Sequence, residues 1–178
     1  MIKVILNIFY AICFSSLLSG CVLIENGKWY ETDLIQTPLN SDLTEKFINI
    51  DGSSPVLYIP GSMKFAELVQ DTGGKLIDHA YMTKQTLPQW DDVFQRFIDW
   101  KPRPNEIIEL HDPVTTARAF RPLGLSHKVS FMEIRGEKYL VFNHYQPPPF
   151  SNNIYFYDQK NVVKMRWLFK SLNFVLVQ

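Results

Sequence analysis

Apolar and polar positions change period several times along this chain, and each change predicts an element boundary. The sharpest pattern lies between residues 86 and 100, where Trp90, Val93, Phe94, Phe97 and Ile98 fall at i, i+3, i+4, i+7 and i+8. That spacing puts five large apolar side chains on one face of a helix. Thr86 and Gln89 have capping-box spacing, and Pro88 suits a first turn that has no carbonyl to donate to. Asp91 and Asp92 lie toward the positive end, Asp92 and Arg96 are spaced to pair, and Pro102 and Pro104 stop the helix after Trp100. The pattern predicts a helix over about 87–100 with its aromatic stripe on a sheet.

Past this helix the period becomes two. Val129 to Ile134 and Tyr139 to Tyr145 flank Arg135-Gly-Glu-Lys138, a hairpin signature with Gly136 at the turn. Ile154 to Tyr157 and Val162 to Phe169 flank Asp158-Gln-Lys-Asn161, and the alternation of Val163, Met165, Trp167 and Phe169 predicts a second hairpin. Phe174 to Val177 is expected to close the sheet. Before the helix, Lys46 to Ile50 and Val56 to Ile59 read as strands around Asp51-Gly-Ser-Ser-Pro55, Phe65 to Val69 as a short helical turn capped by Ser62, and Leu76 to Met82 as a strand after Gly73-Gly74. Strands on both sides of one good helix predict an α+β fold, a mainly antiparallel sheet with that principal helix packed on it.

The first 21 residues have a different organisation. Lys3 and the free amine precede an apolar run, Val4 to Leu18, and Leu18-Ser19-Gly20-Cys21 ends in a thiol after two small residues. This stretch resembles the lipobox of bacterial lipoproteins, and the resemblance stops there. It implies cleavage before Cys21, lipid on its sulfur, and a body held outside the cytoplasm at a cell membrane or outer membrane. Val22 after the cysteine fits outer-membrane sorting in that family. The competing reading is an uncleaved transmembrane helix, which Asn7, Ser15, Ser16, Ser19 and Gly20 dilute. The expected organisation is a signal peptide over 1–20, a lipidated N-terminus and tether over 21–44 that includes an edge segment near Trp29 and Tyr30, and one globular domain over 45–178.

Composition narrows the chemistry. Removing residues 1–20 from the 178 leaves 158, long enough for one well-buried domain. Only Lys3 of the 18 basic residues leaves with the leader, so the rest stays near neutral against 18 acidic residues, and nucleic acid is not an expected partner. Of the two cysteines, Cys13 leaves with the leader and Cys21 takes lipid, so no disulfide, thiol nucleophile or cysteine-rich metal site is expected. The covalent lipid is the only non-protein group anticipated.

The polar residues give no catalytic signature. His79, His111, His127 and His144 lack metal-ligand spacing. Asp78-His79 and His111-Asp112, with Ser62 or Ser126, make a poor triad, because neighbours on a strand point to opposite faces. Glu106, Glu109 and Asp112 are available as paired carboxylates but sit in an ordinary proline-rich turn. The candidate partner-binding residues are Tyr145, Pro147, Pro148, Pro149 and Phe150, where a triproline favours a stiff polyproline segment, with Arg118 and Arg121 around Phe120 as a second patch. Together these features lead to the expectation of a non-enzymatic, lipid-anchored envelope protein that binds another protein, for example as an immunity or inhibitor protein. A structural or assembly subunit of an envelope complex is the alternative, and an envelope hydrolase a third.

Overall fold

The computed structural model describes residues 26–37, 48–49, 54–71, 76–116, 127–144 and 153–178. Among these residues nine strands form two sheets. The first, in the order β1-β3-β4-β5, contains β1 (Gly27–Glu31), β3 (Val56–Pro60), β4 (Phe65–Asp71) and β5 (Leu76–Thr83), all antiparallel. The second, in the order β2-β9-β8-β7-β6, contains β2 (Ile48–Asn49), β9 (Asn153–Asp158), β8 (Glu137–His144), β7 (His127–Ile134) and β6 (Ile107–Glu109). It is antiparallel except where β2 runs parallel to β9. The helices are α1 (Leu87–Asp99), the single turn α2 (Pro113–Thr116) and α3 (Gln159–Leu172). The architecture is the expected α+β class.

One contiguous core joins both sheets to both long helices. Leu57 and Ile59, Ala66 and Leu68, and Ala80 and Met82 alternate inward from the first sheet, while Phe131, Leu140, Phe142, Tyr155 and Tyr157 face them from the second. Trp90, Val93, Phe94 and Phe97 of α1 are fully buried between them, as the stripe predicts. Phe94 and Trp90 meet Phe169 of α3 edge-on at 5.0 and 5.7 Å, and Phe97 meets Phe131 at 5.3 Å. Such quadrupole-matched pairs add about 0.5–1.5 kcal/mol each beyond area burial.

Three details of α1 show how it is held. Thr86 does not cap it by its side chain; its hydroxyl instead accepts the Thr83 amide at 2.8 Å and closes the preceding turn. The Asp92–Arg96 pair forms at 3.0 Å, and Arg96 also reaches Asp112 at 2.7 Å. At the other end Lys138 of β8 donates to the carbonyls of Phe97, Ile98 and Trp100 at 3.0, 2.6 and 2.9 Å. That ammonium satisfies carbonyls which the last helical turn leaves without donors.

The structure corrects several expectations. Val162 to Phe169 is not a strand but part of α3: Asp158 caps it by accepting the Asn161 amide at 2.8 Å, and Val162, Met165, Phe169 and Leu172 form its buried side. Phe65 to Val69 is not helical but β4, and Ser62 therefore caps no helix; it lies in the turn in which Met63 donates to Pro60. Phe174 to Val177 does not close a sheet; it turns off the end of α3 and bonds to Met63 by one backbone contact at 2.9 Å. The strands around residues 51–55 both exist but belong to different sheets. The hairpin at Gly136 forms with two turn residues, Arg135 at φ 54° and Gly136 at φ 88°, the left-handed pair that matches strand twist.

Candidate functional site

Among the described residues, the surface best suited to a macromolecular partner is the outer edge of the first sheet. β1 pairs with β3 from Gly27 opposite Pro60 to Glu31 opposite Val56, and no described strand pairs with its other side. All five of its residues are exposed, Trp29 at 47% and Tyr30 at 45%. An unpaired strand edge presents backbone donors and acceptors in a fixed row, which natural proteins usually shield. Here Lys28 and Glu31 are the only charges on it.

A row of rings runs inward from this edge on the outward face. Trp29 packs on Tyr58 at 4.6 Å, Tyr58 approaches Phe65 at 6.5 Å, and Phe65 stacks on Tyr81 at 5.1 Å. Glycine at position 27 is what lets Tyr58 lie there, since a Cβ on Gly27 would come within 2.4 Å of the ring. Burial, with the nearby Glu67 carboxylate, holds the Tyr81 phenol above its ordinary value, so that phenol stays neutral. Of these rings Trp29 is exposed, Phe65 and Tyr81 are half-buried and Tyr58 is buried, so the accessible aromatic area beside the open edge comes chiefly from Trp29 and Tyr30.

Two of the four histidines, His79 and His144, converge more than their sequence positions imply, but inside the protein. The β4–β5 register passes from Leu68 opposite Ala80 to Val69 opposite Asp78, so His79 is the extra residue of a β-bulge. The bulge turns its imidazole into the interface between the sheets. There it lies 4.4 Å from Tyr155, 5.2 Å from Phe142, 5.3 Å from His144 and 5.8 Å from Tyr157. None of these five rings is more than 1% exposed. Burial raises the Tyr155 and Tyr157 phenols far above the usual range, so both stay neutral. The cluster packs the two sheets together and offers no face to a substrate. Among the described residues no three His, Cys, Asp or Glu side chains are grouped to hold a metal ion.

The other residues considered for chemistry are occupied separately. Glu106 accepts from the Trp100 indole and the Arg103 amide at 3.3 and 2.9 Å, Glu109 pairs with Lys128 at 3.2 Å, and Asp112 pairs with Arg96. Three carboxylates with three different structural partners do not form an acid/base pair across one cleft. A small cleft of about 240 Å³ lies between residues 35–37 and the first turn of α3, with Lys160 and Lys164 on its rim. Gln36 beneath it is sealed from solvent, and Lys164 is held by Asp33 at 2.8 Å.

Cys21, Arg118, Arg121, Ser126, Tyr145, Pro147, Pro148, Pro149 and Phe150 lie outside the described residues. The ends of the triproline connection are described: His144 of β8 sits opposite Asn153 of β9, so it leaves and re-enters at neighbouring positions of one ladder. Trp29 and Tyr30 were visible in the sequence as an edge segment, but not as a binding surface. The alternation Gly-Lys-Trp-Tyr-Glu carries that signal only once the strand order is known. No family model, curated protein or solved structure matches this chain.

Proposed function

We propose that this protein is an envelope lipoprotein, anchored by lipid on Cys21 at a cell membrane or outer membrane, whose body binds a protein partner without catalysing a reaction. The observation that carries the binding reading is the open β1 edge, five exposed residues beside the Trp29–Tyr58–Phe65–Tyr81 row. The partner it fits is an extended segment of another protein added to the sheet beyond β1. Main-chain bonds would supply affinity, and Trp29 and Tyr30, on opposite faces of the strand, would read alternate side chains. An immunity or inhibitor protein is the role this reading favours, because strand addition by a tethered domain can block a toxin or lytic enzyme that works in the envelope. Among the described residues no helix is long and apolar enough to cross a membrane. The anchor in this reading is the acyl chains, and two of them hold permanently where one does not.

Photocrosslinking amino acids at positions 28 and 30, compared with position 99 on α1, test the binding surface in intact cells. The expected result is one partner trapped from both β1 positions through one continuous segment, and a synthetic copy of that segment should slow amide exchange in residues 27–31. Adducts no more frequent than those at position 99, or scattered over many proteins, overturn it. A partner that proves to be an integral component of an envelope machine replaces the inhibitor role with that of an assembly subunit. The anchor is tested by radioactive palmitate, expected in the parent and absent from Cys21→Ser.

A further inference from the structure

The anchor would meet the folded body at one particular corner. Asn26, the first described residue, accepts a backbone hydrogen bond from Gly61 at 2.7 Å. Gly61 is the second residue of the turn from Pro60 to Met63, and Met63 accepts from Val177 at 2.9 Å. These two bonds bring the entry to β1, the β3–β4 turn and the C-terminal segment side by side. That corner is unusually apolar. Phe174 is 91% exposed, and Met63, Val175 and Val177 are each at least 40% exposed, while Leu176 between them is buried and fixes the segment to the core.

We infer that this corner is a membrane-contacting surface, in which Phe174, Val175, Val177 and Met63 enter the headgroup–acyl boundary of the bilayer that holds the lipid. The inference rests on the lipoprotein reading above and deepens it. Asn26 is five chain steps from Cys21, and a fully extended chain gains at most about 3.6 Å per step, so the backbone at Asn26 lies within about 18 Å of that of the acylated cysteine. Interfacial side chains penetrate about 5–10 Å, so this tether keeps the corner in reach of the bilayer. An exposed lysine adjoins the patch, Lys64 directly after Met63. Its ammonium group can reach anionic headgroups while its stem follows the apolar surface. Exposed Phe and aliphatic residues, which cost solubility in water, are stabilised once partitioned into lipid. The body then stands on this corner, and β1 rises from the membrane with its open edge accessible.

The full-length acylated protein, in its own membrane or in vesicles containing anionic and brominated phospholipids, tests this directly. Single cysteines at Phe174, Val177, Asp99 and Arg135 carry an environment-sensitive fluorophore; with Cys13 cleaved off and Cys21 acylated, each is the only free thiol. Labels at 174 and 177 are expected to be quenched about twofold or more by brominated chains, and those at 99 and 135 hardly at all, since quenching requires depth within the boundary. A palmitate-labelled protein whose 174 and 177 labels are quenched no more than that at 99 overturns the corner contact and leaves the anchor standing. A parent that takes up no palmitate overturns the anchor and the corner together. A label at 174 that escapes bromolipid, with a photocrosslinker at the same position trapping protein, assigns the patch to a partner and also overturns the inference.

Discussion

Lys138→Met removes the contact through which the second sheet holds the end of α1. The ammonium reaches three carbonyls of the last turn and its exit, those of Phe97, Ile98 and Trp100, and it also lies 5.3 Å from the Phe97 ring. Methionine keeps most of the volume and removes all three donors. Each carbonyl left without its donor costs about 1 kcal/mol net. Against that loss stands the desolvation of the ammonium, which pushes the Lys138 pKa below the usual lysine range, with Asp99 pulling it partly back. Relief of that burial returns about 1 kcal/mol, so the expected net loss is about 2 kcal/mol. For a chain of this length that lowers the melting temperature by about 4–8 °C. Chemical denaturation of parent and variant at pH 7 measures the difference as a shift in midpoint at constant slope. Amide exchange should quicken first in residues 96–100. A variant within about 0.5 kcal/mol of the parent would mean the three bonds only balance the desolvation they require, and the reasoning would fail.

Four further substitutions probe named contacts. Arg135→Asn should stabilise the β7–β8 hairpin by about 0.5 kcal/mol, because asparagine tolerates φ 54° better than arginine, whereas Gly136→Ala should cost about 1 kcal/mol at φ 88°; paired thermal melts decide whether the signs are opposite. Asp91 is held below the usual carboxylate range first by its hydrogen bond from Arg166 and then by Lys170, so the stability it provides is present above pH 4 and is lost as pH falls through its depressed folded value. Arg166→Met should flatten that acid limb by about 1 kcal/mol, read from urea midpoints between pH 6 and pH 2, the small size reflecting partial solvent exposure. Gly27→Ala should force the Tyr58 ring off β1 at a cost of about 1–3 kcal/mol, with faster amide exchange confined at first to residues 27–31.

Much of the fold was legible because it is encoded locally. The α1 stripe and the β7–β8 hairpin announce themselves through spacing and turn chemistry, and both form. The errors fell where two periods fit one run. In α3, Val163, Met165, Trp167 and Phe169 alternate like one side of a strand, yet Trp167 is exposed and the buried positions step by three and four residues. The cap at Asp158, with Asn161 three residues on, was the overlooked signal. In β4 the reverse happened. Phe65 to Val69 reads as a short helical turn, yet Ala66 and Leu68 alternate into the core of a strand in which Glu67 and Gln70 are buried as well.

The candidate site was less legible, since being an edge is a property of strand order and no residue of β1 encodes it. Whether Trp29 and Tyr30 are core or surface depends on which strand, if any, lies beyond them. His79 is hidden for a related reason: its inward aim depends on one extra residue in β5 relative to β4, visible only when the two are paired.

The same short N-terminal stretch joins the two sheets. After β1 the chain buries Leu34 in the common core, Ile35 donates to the Asn161 side chain at 2.9 Å, and Thr37 donates to Phe156 of β9 at 2.8 Å. Its hydroxyl also accepts the Asp158 amide at 3.3 Å, at the N-cap of α3. Load arriving at Asn26 therefore meets β1 before it meets any of these contacts. β1 is held by one ladder and the Trp29–Tyr58 contact, while residues 34–37 are fixed to the core, β9 and α3 together. An exposed strand opens at a lower free energy than a core segment, so β1 can yield or accept a neighbour without loosening the body behind it. A surface able to rearrange at low cost sits next to one that resists rearrangement, and this combination suits strand addition.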